Sequence, residues 1–123
     1  MSGANAAPAR RRRAGFLWAL RFLVGVAFLS AGTGKLFDPT AAAEGFARFG
    51  LPAWLVIPIG AAEVLGGIGL WVNRSTRPAA VTLTLVMVGA AGSHLLHDPF
   101  SAAIPALVLG ALCATIATLG GKR

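Results

Sequence analysis

Residues 14–36 read AGFLWALRFLVGVAFLSAGTGKL, and residues 53–72 read AWLVIPIGAAEVLGGIGLWV. Each stretch is apolar over the roughly 20 residues that carry a helix across about 30 Å of hydrocarbon, and each holds one ionisable side chain deep within it, Arg21 or Glu63, with Lys35 closing the first. Two further apolar runs follow at about 78–96 and 101–120. In lipid every backbone N–H and C=O must be paired within the protein, so runs of this length are helices, whereas barrel strands need about ten alternating residues. The expected fold is all-α, a four-transmembrane-helix bundle. The membrane domain covers 14–120, between a basic N-terminal tail, 1–13, and a basic end, 121–123.

Composition agrees. Of the 123 residues, 56% are hydrophobic and 12% charged, with a mean hydropathy of +0.74, where soluble domains carry about 25% charge. One cysteine, Cys113, excludes a disulfide scaffold and thiol exchange within one chain. The net charge of +7 does not indicate nucleic acid, because Arg10 to Arg13 form one run beside an apolar stretch, as an anchor to anionic lipid does.

Arg10 to Arg13, Arg74, Arg77, Lys122 and Arg123 fall on one side of such a bundle, which places both termini in the cytoplasm. The other side receives residues 38–52, where Asp38 and Glu44 offset Arg48, and the turn at Asp98. Trp54 and Trp71 stand at opposite interfaces of the second span, with Trp18 beside Trp71. A cleaved signal peptide is the rival reading of the first run; Arg21 and the want of a small-residue cleavage site speak against it.

A charge within the bilayer costs about 2.5–3.5 kcal/mol on insertion scales, so each needs a partner or a function. With residue 25 taken as the centre of the first span, Arg21 is expected to pair with Glu63 as a structural intramembrane ion pair. A ligand-binding or proton-handling role remains open for both, as does Arg21 snorkelling beside a protonated Glu63. A second polar group gathers at the outer end: Lys35, His94, His97 and Asp98, with Asp38 nearby. It reads either as an interfacial rim or as a head-group site for an amphipathic molecule, where His94 exchanges a proton. His94 and His97 share one helix face and fall short of a metal or haem set, so no metal is assigned. Gly25, Gly32, Gly60 and Gly67 are assigned to close helix packing. In the fourth span Ala102, Ala106, Gly110, Ala114 and Thr118 form a ridge that serves the bundle or a homo-oligomer.

The order Arg21, Gly25, Phe28, Ala31-Gly32, Lys35-Leu36, Gly50-Leu51-Pro52, Gly60, Glu63, Gly66-Gly67, Leu70, then His94 near Asp98 resembles the DoxX family of small four-helix membrane proteins over residues 16–120. The resemblance implies functional weight for Arg21, Lys35, Glu63 and His94. It also implies an accessory or anchor subunit in quinone-linked or oxidative-stress redox chemistry, while the abundance of Ala, Gly and Arg points to a bacterial cytoplasmic membrane. On this reading Lys35 and His94 meet the head group of a quinone or similar molecule, the electron carrier is a partner redox protein, and the chain does not catalyse alone. No flavin, nucleotide or iron-sulfur motif is present in the sequence, so no cofactor is assigned by a motif. The alternative is a non-enzymatic membrane scaffold, assembly factor or chaperone-like protein acting through its glycine-faced helices; passage of a small solute is a third, weaker reading.

Overall fold

The computed structural model describes residues 3–119. Among these every regular element is helical: α1 (Gly3–Phe37), α2 (Pro39–Arg48), α3 (Val56–Gly69), α4 (Thr76–His97) and α5 (Ile104–Leu119), with short 3-10 turns leading into α3, α4 and α5. The basic end at 121–123 lies outside the described residues.

Three of the helical stretches are long and apolar enough to cross a membrane, Pro8–Phe37, Asn73–His97 and Phe100–Leu119, and Ala53–Gly69 is a shorter apolar helix. The helices α1 and α3 run side by side, as do α4 and α5, and contacts of α3 with α4 and of α1 with α5 close the ring. The outside of this ring is as greasy as its inside. Phe16, Phe22, Leu23, Leu65, Leu85 and Val88 all project outward, while the buried core is small: Val24, Phe28, Leu70, Leu83, Met87 and Ile116 with alanines and Cys113. Continuous outward apolar surface is what lipid solvates and water does not.

One element departs from the expected organisation. The run at 1–13 is not a separate tail from Gly3 onward, because α1 is continuous over 35 residues, about 52 Å, and carries Arg10 to Arg13 on its first turns. The segment 38–52 holds a helix of its own, α2. Asp38 caps it, its Oδ1 accepting from Ala41 N at 3.2 Å, and Pro39 fits the first helical position. Its far end closes as a Schellman turn: Leu51 N donates to Phe46 O at 3.0 Å and Gly50 N to Ala47 O at 3.0 Å, with Gly50 at φ +74°.

Glycine sets the register of α1 on α3. A Cβ at Gly67 would stand 2.8 Å from the Gly25 carbonyl oxygen, and one at Gly32 2.5 Å from that of Gly60, so the two backbones touch at both levels. Antiparallel in this register, α1 and α3 place Glu63 level with Leu29. On α5 the ridge of small residues is partly used inside the chain: Ala106 is buried, and a Cβ at Gly110 would approach Met87 of α4 at 3.3 Å. Ala114 is half-buried beside it.

Candidate functional site

The two charges expected to pair do not. Level with Leu29, Glu63 is eight residues from Arg21, about 12 Å, and six from Lys35, about 9 Å. Lys35 makes the bond: its Nζ donates to Glu63 Oε1 at 2.8 Å, with the carboxylate side chain 4% exposed and the lysine 23%. Residue 25 is not level with Glu63, since the glycine contacts shift the helices by about one turn.

Arg21 is spent elsewhere. Its Nε donates to Leu70 O at 2.7 Å and its Nη2 to Asn73 Oδ1 at 3.0 Å, while its guanidinium lies 3.9 Å over the Trp18 ring. Trp71 Nε1 in turn donates to Arg21 O at 3.2 Å. Ser75 and Thr76 hydroxyls donate to Gly69 O and Val72 O at 2.9 Å each. Arg21 thus serves Leu70 O at the end of α3, the Ser75 hydroxyl joins the Val72 N–H on Gly69 O, and the cation suits the negative pole of that helix. Trp71 is thus a packing residue against α1, stacked with Phe22, whereas Trp54 stands exposed.

At the opposite end of the bundle, Arg48 does not turn to Asp38 or Glu44. Its Nη1 donates to Asp98 Oδ1 at 3.1 Å, and His94 Nδ1 lies 2.8 Å from Asp98 Oδ2. A carboxylate only accepts, so His94 Nδ1 carries the proton and Nε2 is left as its free ring nitrogen. That hydrogen bond is the main cause, with the Arg48 charge adding to it, that holds the Asp98 carboxyl below its ordinary range against partial desolvation. Phe49 packs edge-on to His94 at 5.1 Å and against His97 at 5.5 Å, and His97 Nδ1 donates to Ser93 O at 3.0 Å. The Phe49 contacts are not legible in the sequence, because a phenylalanine directly after a helix-ending arginine carries no spacing signal. Among the described residues no group of three or more His, Cys, Asp or Glu side chains is arranged to hold a metal.

These two clusters border one space. An open groove of about 550 Å³ runs between the end of α1 and α2, lined by Lys35, Asp38, Phe46, Arg48 and Phe49 over a floor of small residues that includes Ala31 and Gly34. Lys35 of the Lys35–Glu63 pair stands on one wall of the groove and Arg48 of the Arg48–Asp98–His94 cluster on the other, each with its carboxylate partner behind it. The sequence pointed to Lys35, Asp98 and His94 at this end but not to α2, which builds the second wall.

Apolar outward surface, glycine-tight helices and a groove with charged walls at one end define a small helical membrane protein. The chain matches the DoxX-like family over residues 19–116 and belongs to that family. Among curated proteins it is 30% identical over 81 residues to a protein of Bacillus subtilis (strain 168) named "Putative oxidoreductase CatD". The alignment covers 66% of this chain and 60% of that relative. No solved structure matches the chain.

Proposed function

We propose that the groove between α1 and α2 receives the head group of a quinone or similar amphipathic molecule, and that the protein acts as an accessory membrane subunit of a redox system. The observation that carries this reading is the groove itself: cationic N–H donors of Lys35 and Arg48 beside the rings of Phe46 and Phe49, at the end of helices whose outer faces are apolar. A head group with hydrogen-bond acceptors fits the donors, a flat ring fits the aromatic side chains, and a tail can lie along the exposed Ala31 and Gly34 side of α1. The oxidoreductase name of the relative supports a redox setting.

In this reading four helices, α1, α3, α4 and α5, span a bacterial cytoplasmic membrane, the shorter α3 reaching across with its 3-10 turn. Both termini face the cytoplasm, in keeping with the exposed arginines Arg10 to Arg13, Arg74 and Arg77 at one end. Electrons come from a partner redox protein. Membranes with and without the protein, compared for quinol oxidation, are the direct test, together with extraction of quinone from the gently purified protein. A rate that depends on the protein and is lost in Lys35→Ala is the expected outcome. Equal rates with no co-purifying quinone reject the reading.

A further inference from the structure

We infer that the groove selects an uncharged, hydrogen-bond-accepting head group, and that Glu63 and Asp98 set this selectivity by cancelling the charges of Lys35 and Arg48. The inference rests on the reading of the groove as a binding site given above. Each cation of the groove is tied to one carboxylate: Lys35 to Glu63 at 2.8 Å and Arg48 to Asp98 at 3.1 Å. Asp38, which also lines the groove, adds a third carboxylate against two cations. An arriving anion therefore meets no net positive field, yet gives up its hydration.

Hydrogen-bonding capacity is a different matter. An ammonium carries three N–H donors and a guanidinium five, and one of each is spent on its carboxylate. The rest can serve a carbonyl or ether oxygen without any change of charge. A cationic head group finds one carboxylate without a cation, Asp38, whose Oδ1 already accepts from Ala41 N, and it cannot accept from the N–H donors of Lys35 and Arg48, whose charges repel it. In a membrane crowded with anionic lipid head groups, cancelled cations keep such a groove free for a neutral ligand.

The test uses three amphiphiles with one tail, lauramide, laurate and dodecylammonium, titrated at pH 7 into the full chain in dodecyl maltoside and followed by native mass spectrometry. The wild type is expected to bind lauramide about tenfold more tightly than either charged partner. Glu63→Gln and Asp98→Asn, each freeing a cation, are expected to raise laurate affinity about tenfold. Asp98→Asn touches a pair whose arginine side chain is 62% exposed, so it serves even where Glu63→Gln fails to fold. The double variant Lys35→Gln with Glu63→Gln keeps the balance and is expected to keep the lauramide preference at lower affinity. A wild type that prefers laurate or dodecylammonium, or folded variants with unchanged ratios, overturns the selectivity and leaves the groove reading standing. Binding of none of the three rejects the groove as a site, and the selectivity with it.

Discussion

Removing the carboxylate at position 63 strands a cation, and removing the amine at position 35 strands an anion, but the two losses are unequal. Lys35 can turn toward the groove and water, whereas the Glu63 side chain is 4% exposed. Lys35→Met is therefore expected to cost about 3–5 kcal/mol and Glu63→Gln about 2 kcal/mol, with the double variant Lys35→Met, Glu63→Met less unstable than Lys35→Met alone. Thermal unfolding in detergent reads this order; equal costs would mean that burial does not distinguish the partners. Asp98 gives the pH dependence. Its carboxyl is held below the ordinary value of 3.8, so its contribution is fully present above that value and is lost as pH falls through the lower, folded value. The stability gap between wild type and Asp98→Asn should thus shrink as pH falls below about 4. A gap that instead widens below that pH contradicts the assigned bonds.

At the scale of elements, glycines of one composition divide by what they face. A Cβ at Gly32 or Gly67 would meet backbone carbonyl oxygen of the facing helix, which cannot move aside, while Gly34 and Gly89 have nothing within 4 Å. Gly32→Ala and Gly67→Ala are expected to destabilise by about 1–3 kcal/mol through separation of α1 from α3. Gly34→Ala and Gly89→Ala should be neutral or stabilising by up to about 1 kcal/mol, from helix propensity alone. Denaturant unfolding of the four variants checks the split. Repeating Gly residues were legible as packing faces in the sequence; which partner each meets, and hence the one-turn offset that unites Lys35 with Glu63, depends on how two surfaces interlock.

For the whole molecule, the arginine-bearing turns and the groove lie at opposite ends of the bundle, which makes topology measurable. In a Cys113→Ala background, Arg74→Cys should react with a membrane-impermeant maleimide only from the cytoplasmic side, and Ser101→Cys only from the other. The wild-type Cys113, fully buried in α5, should stay unlabelled until the protein unfolds. Labelling of both engineered sites from one side would overturn the proposed orientation.

The order of amino acids alone establishes a helical chain suited to lipid, because run length and hydropathy are local properties, and the backbone has no other way to satisfy its polar groups in hydrocarbon. It also marked Lys35, Glu63, His94 and Asp98 as chemistry-bearing, since a charged or titratable group in such surroundings stands out alone. Which of them touch depends on how the helices pack. A helix sequence gives the height of a side chain along its own axis, but relative height between two helices is set by the fit of glycine against backbone. That fit gave Glu63 to Lys35, left Arg21 to close the end of α3, and let α2 bring Arg48 and Phe49 across to Asp98 and His94.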